Sequence, residues 1–400
     1  MPISPPDALR RAHVGTVLTF ALIGVVNGIL ASRLPGLAAK LSLGTGQVGL
    51  VILSWGTAAL ATSQVMRWLV TALGSRTLLR LGAPLATVAA CLIGLSPSFP
   101  LLLCAAGLFG VTSGISEAMV NAQGSLVERL SGRSVMNGLH AGWSAGAVTG
   151  GVLAAVLAAC QVAYTPSVVG VAGACLPVVL LAGRTYLPGE SEQEESGDRR
   201  GLPRVIYLIG VIAFAGLLLE GMVGDWSGLL LSRDLHAAPA MAAAAYPVFE
   251  LATFTGRLFG DRLSDRFGCR GPLTAAGLAS ALGILAVVLA PSAMAAVAAF
   301  GLTGLAVCVI VPMSMSMAGG LAPGRADAAI AQVSAMGYAG LLLGPVFVGF
   351  VAQATSLRSS LACTAVAALL VTAGSRGLPA KVPSTKSGQP DRSTADATAP

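Results

Sequence analysis

Leu69-Val70-Thr71-Ala72-Leu73-Gly74-Ser75-Arg76 and Leu263-Ser264-Asp265-Arg266-Phe267-Gly268-Cys269-Arg270 recur 194 residues apart in a chain of 400. Each octet has leucine first, glycine sixth and arginine eighth, and each separates two apolar runs. The same displacement carries Gly146 onto Gly340 and Gly150 onto Gly344. One shift that serves two distant regions predicts an internal duplication, and it divides the chain into equal halves.

Working outward from the octets, twelve apolar stretches can be marked, at about 14–34, 46–68, 73–95, 101–125, 137–160, 164–186, 204–231, 240–260, 271–290, 294–318, 327–353 and 356–375. Each is near the ~20 residues that a helix needs to cross ~30 Å of hydrocarbon. Composition agrees, since hydrophobic residues make up 55% and charged residues 10%, with a mean hydropathy of +0.80. Soluble domains carry about a quarter charged residues. The 50 glycines sit inside the apolar runs without a three-residue period, which excludes collagen and suits close helix packing in lipid. The expected fold is therefore an all-α membrane protein with twelve transmembrane helices in two pseudo-symmetric six-helix bundles.

The net charge of +7 is explained by topology. Of the 24 Lys and Arg residues, all but Arg33, Lys40, Arg233 and Arg358 fall on the termini and alternate connections. The positive-inside rule then puts both termini in the cytoplasm, and the basic excess implies no nucleic-acid partner. An acidic run, Glu190 to Asp198, cannot lie in lipid. It marks a cytoplasmic linker at 188–203 between an N-terminal bundle, 1–187, and a C-terminal bundle, 204–376. The Pro-, Ser- and Thr-rich tail, 377–400, reads as disordered. The first apolar run is too long for a signal-peptide core and continues into further spans, so it reads as the first helix. Seven scattered cysteines and three histidines lack metal spacing, so neither metal nor cofactor is expected.

The run Gly256-Arg257-Leu258-Phe259-Gly260-Asp261-Arg262-Leu263-Ser264-Asp265-Arg266-Phe267-Gly268-Cys269-Arg270 resembles the D-R-x-G-x-R loop signature of the major facilitator superfamily. That resemblance makes Asp265, Arg266, Gly268 and Arg270 a gating loop, with Thr71 replacing the acid in the first copy. Gly138, Gly142, Gly146 and Gly150, followed by Gly151, form a stripe similar to the G-x-x-x-G-P-x-x-G-G element of the superfamily's antiporters. Ala147 stands where that element has proline, and close packing alone accounts for the stripe. Glu117-Ala118-Met119-Val120-Asn121, together with Asn27 in the first span, resembles the fucose–proton symporter branch. Ala31-Ser32-Arg33 lacks the acid found late in the first helix of that branch.

The residues themselves suggest a transport site. A carboxylate at mid-membrane costs roughly 3 kcal/mol on insertion scales, so it should face a cavity. Glu117 and Glu220 are the candidate proton-coupling acids. Glu220 lies 16 residues into its span, ~24 Å at 1.5 Å per residue. Asn27, Asn121, Glu250, Trp143 and His140 are candidate substrate contacts; Glu250 could equally serve helix packing, Trp143 more often would, and a histidine near an interface such as His140 is more often simply hydrated. Asp225-Trp226 reads as an interfacial anchor. Helices 1, 4 and 7 line the cavity in the resembled family, which would bring Asn27, Glu117 and Glu220 together.

The expected function is secondary active transport of a small solute by alternating access across the cytoplasmic membrane. Protons are the expected coupling ion, and the protein is expected to be monomeric. An efflux antiporter and a non-transporting receptor remain alternatives. A lipid-modifying enzyme would need a nucleophile–base pair or a metal cluster, and the sequence offers neither.

Overall fold

The structure, a computed structural model, describes residues 6–131, 135–188, 201–322 and 325–379. Most of the acidic linker (189–200) and of the tail (380–400) lies outside these residues. The first half comprises α1 (Pro6–Ser32), α2 (Leu34–Lys40), α3 (Thr45–Leu73), α4 (Ser75–Leu95), α5 (Phe99–Ser131), α6 (Met136–Ala159) and α7 (Tyr164–Ala182). The second comprises α8 (Arg204–Arg233), α9 (Pro239–Phe267), α10 (Arg270–Val288), α11 (Ala293–Val307), α12 (Ile310–Leu321), α13 (Ala326–Ala354) and α14 (Leu357–Arg376).

Eleven helical stretches among the described residues are long and apolar enough to cross a membrane, α11 and α12 counting as one. Besides the seven-residue α2, the exception is α9, which has the length at 29 residues but carries Glu250, Arg257, Asp261, Arg262, Asp265 and Arg266. Between α1 and α2 the helix is interrupted at Arg33. Pro35 in the first turn of α2 has no N–H for the preceding turn, which favours a fresh helix start there. Leucine, valine and phenylalanine side chains crowd the exposed surface, among them Leu81, Leu101, Leu282, Leu302 and Val366. An apolar belt on this scale requires hydrocarbon as its solvent, so the chain is a multi-pass integral membrane protein.

Packing repeats between the halves. α1 lies along α6 as α8 lies along α13, while α3 and α4 flank α5 as α9 and α10 flank α11. The closest approaches are between backbones. A Cβ on Gly146 would overlap the Ala21 carbonyl, and one on Gly150 the Val25 carbonyl. In the second half, a Cβ on Gly340 would overlap the Phe214 carbonyl, and one on Gly344 would press on the Leu218 side chain. Water drives no association between helices within lipid, so such small-residue contacts supply dispersion energy that larger side chains would prevent. The octets also repeat in conformation, because Gly74 and Gly268 are the two described glycines with positive φ. Each ends one helix within a residue or two of the next helix's start, a conformation that L-residues adopt at a cost.

Buried polar side chains fasten the ends. Gln123 of α5 exchanges two hydrogen bonds, both 3.0 Å, with the backbone of Leu187, and so fixes the chain beyond α7. Glu128 accepts from the N–H groups of Val135 and Met136 at 2.8 and 3.2 Å, which places a negative charge at the start of α6.

Candidate functional site

The bundles meet at the end holding the start of α3 and the finish of α13. Gly49 lies against Gly349, Gly56 against Leu342, and Gly151 against Pro247. Gln353 of the second half accepts a 2.9 Å hydrogen bond from the Gly46 N–H of the first. Arg233 donates to the Leu43 carbonyl. Towards the other end, where the octets and most arginines lie, Trp68, Leu258, Phe259 and Phe267 are exposed.

Side chains of the two halves also face one another towards this basic end. Tyr338 of α13 is 60% exposed, yet it lies within electrostatic reach of Glu117 on α5 of the other bundle. His140 of α6 and Arg257 of α9 form a second such pair across the halves. The exposed His140 ring stacks edge-on to Phe20, with centroids 5.3 Å apart.

Each candidate residue has a definite place. Glu117 is half-buried and its carboxylate forms no ion pair among the described residues. Its backbone carbonyl accepts from the Asn121 amide at 2.8 Å, which occupies one of the two amide hydrogens of Asn121. Glu220 accepts two hydrogen bonds, 3.2 and 3.0 Å, from the Arg257 guanidinium. Glu250 sits near that pair, within electrostatic reach of Arg257, Glu220 and Tyr246. Asn27 donates to the Ile23 carbonyl and lines a cavity of about 10 Å³ inside the first bundle, with Thr87, Phe109 and Ser113. Trp143 is half-buried against the cluster around Phe20 and Leu139. In the octet loop, Gly268 turns the chain, the Arg266 guanidinium lies 5.2 Å from the Phe267 ring centre, and Arg270 opens α10. The Asp265 side chain lies outside the described atoms.

Two readings need correction. Trp226 is not an interfacial anchor. It is wholly buried, donates to the Pro345 carbonyl at 3.1 Å and abuts Gly349. Arg257, counted by charge with the arginines outside the membrane, instead points to Glu220. Its position inside the apolar stretch 240–260 was the available signal, because a cation within a span requires a counter-charge. Among the described residues no three His, Cys, Asp or Glu side chains are grouped to hold a metal ion.

Comparison with known proteins follows this geometry. Residues 208–398 match the family model described as Major Facilitator Superfamily. An uncharacterized MFS-type transporter of Yersinia pestis is 31% identical over 369 residues, 92% of this chain and 95% of that protein. The chain belongs to the major facilitator superfamily. An uncharacterized transporter of Sinorhizobium fredii is 31% identical over 86% of this chain and 92% of its own length. Membrane protein MosC of Rhizobium meliloti is 26% identical, covering 90% of this chain and 91% of that protein.

Solved structures show the superfamily fold. A bacterial homolog of the human lysosomal transporter Spinster, inward-facing and occupied, superposes with a TM-score of 0.77 at 14% identity, covering 94% of this chain and 98% of its own. The nucleoside transporter NupG gives 0.72 at 12% identity, covering 93% of this chain and 98% of its own. Family and fold are those of a transporter, not of an enzyme.

Proposed function

We propose that this chain is a proton-coupled secondary transporter that moves a small polar solute across the cytoplasmic membrane by rocking two bundles about a central cleft. The observation that carries the reading is Glu117, a half-buried acid inside a span with no ion pair among the described residues, within electrostatic reach of Tyr338 on the other half. An uncompensated carboxylate at mid-membrane is costly unless it serves a solute or ion path. In this reading Glu117 and His140 face the cleft and, together with the Glu220–Arg257 pair and Glu250, supply charges for both a proton and a polar cargo.

In this reading α9 is the twelfth span, and its polar face is tolerated because it lines the cleft. The domains are then 1–187, 188–203 and 204–376, followed by the tail 377–400. Both termini lie in the cytoplasm, as the arginine asymmetry supports, so the open end faces inward. The octet loop, Asp265 to Arg270, sits where it would latch the inner ends of α9 and α10. Cargo contacts are assigned to Asn121, Glu250, Trp143 and His140. Asn27 is assigned a place behind them, at the water-sized cavity. The named relatives do not tie the chain to the fucose–proton branch, whose likeness rests on the Glu117–Asn121 element.

The test is thermal stabilisation of purified protein against a metabolite and drug library at two pH values, followed by flux of each hit into vesicles. A ligand at 100 times its Kd adds about 2.7 kcal/mol to apparent stability. A hit whose vesicular uptake responds to an imposed pH gradient is expected. Hits that bind but never cross would leave a receptor in place of a transporter.

A further inference from the structure

We propose that Glu220, Arg257 and Glu250 form a charge-counting triad in which one guanidinium serves two carboxylates, and that the leftover negative charge, on Glu250, takes up a proton. This rests on the transport reading above and adds to it a second protonation site beside Glu117.

Tyr246, Glu250 and Arg257 are spaced four and then seven residues apart, so they share one face of α9. Glu220 approaches that face from α8, the helix packed antiparallel beside it. Arg257 gives Nη2 to both Glu220 oxygens, while Nε and Nη1 have no protein acceptor among the described residues. Its fork is therefore half used. Glu250 forms no ion pair there, although Arg257, Glu220 and the Tyr246 hydroxyl all lie within its electrostatic reach. Asp225 on α8 bears on Tyr246, His140 on α6 bears on Arg257, and Cys308 at the α11–α12 junction also faces Arg257. Among the described residues, those are the charged or titratable groups around the triad.

Two adjacent carboxylates with a single cation cannot both stay charged cheaply away from bulk water. One accepts a proton from the open end of the cleft, and its carboxylate becomes a carboxylic acid. When the cleft opens on the opposite side, the same O–H bond breaks and the proton leaves there. Should the proton pass from Glu250 to Glu220, Arg257 can turn its unused N–H groups to Glu250, and the count is unchanged. Arg257 is thus a positioning residue that decides which acid is neutral.

The count is read by infrared difference spectroscopy of protonated carboxyl groups, on the full chain in lipid nanodiscs, titrated with pH. Glu250→Gln should remove one titrating carboxyl. Glu220→Gln should also remove one, because Arg257 then compensates Glu250. Arg257→Gln should add one, while Arg257→Lys should leave the wild-type number. If neither glutamine variant at 220 or 250 loses a titrating carboxyl, or if a folded Arg257→Gln gains none, the triad is wrong. Should Arg257→Gln not fold, the two acid variants decide alone. Loss of the only titrating band in Glu117→Gln would overturn the triad and leave proton-coupled transport intact. Conversely, the expected counts in a protein that moves no solute would uphold the triad and remove the transport reading.

Discussion

Gly74 and Gly268 turn the chain with nearly the same φ, 74° and 68°, at equivalent points of the two bundles. With ψ of 151° and −178°, both lie in a region open almost only to glycine, and alanine at either site should cost about 1–3 kcal/mol. Gly74→Ala and Gly268→Ala should each lower the thermal midpoint of the purified protein. Gly170→Ala, in a helix position open for 4 Å around a Cβ, should not lower it.

Backbone contact between α1 and α6 makes a stronger demand. Gly146→Ala places a methyl group in the Ala21 carbonyl, and overpacking of that kind costs about 1–3 kcal/mol. The pseudo-symmetric change, Gly340→Ala against Phe214, should cost a similar amount. Gly138 belongs to the same stripe but meets nothing within 4 Å, so Gly138→Ala should be neutral. Thermal midpoints in detergent check all three.

Glu117 has no ionic partner among the described residues, so Glu117→Gln should preserve the fold while removing the exchangeable charge. Accumulation driven by a pH gradient should fall to background in vesicles, whereas solute exchange without a gradient should persist. Undiminished pH-driven accumulation would take Glu117 out of the coupling step.

These expectations trace back unequally to the primary structure. Span lengths and the 194-residue shift made the two-bundle fold legible, because both depend on local composition and on identity at a fixed offset. Glu117 stood out as an acid among Ala118, Met119 and Val120. The Glu220–Arg257 contact was not legible, since it depends on which faces of α8 and α9 turn towards one another. Trp226 misled for a related reason. Proximity to a helix end suggested an interface, but its acceptor, the Pro345 carbonyl, belongs to a helix 119 residues further along the chain. The break at Cys308–Val309 between α11 and α12 falls four residues before Pro312, which has no N–H for the Cys308 carbonyl and whose ring crowds it.

At the closed end, Gln353 couples the halves through Gly46. Loss of this hydrogen bond by Gln353→Ala should weaken closure by about 1 kcal/mol, roughly a fivefold shift in population towards the state open at that end. Spin labels at exposed Gln161 and Thr355, one on each half, should report a larger long-distance fraction in that variant.

Rocking about the cleft is tested most directly by measuring both ends in parallel samples, after replacing exposed Cys104, Cys160 and Cys363. One label pair is Gln161 with Thr355 at the closed end. The other is Trp68 with Ala331, exposed on α3 and α13 at the open end. Pulsed electron resonance across a pH series should show the first distance lengthening in the same proportion of molecules in which the second shortens. Two distances that stay fixed, or that lengthen together, would contradict alternating access in this protein.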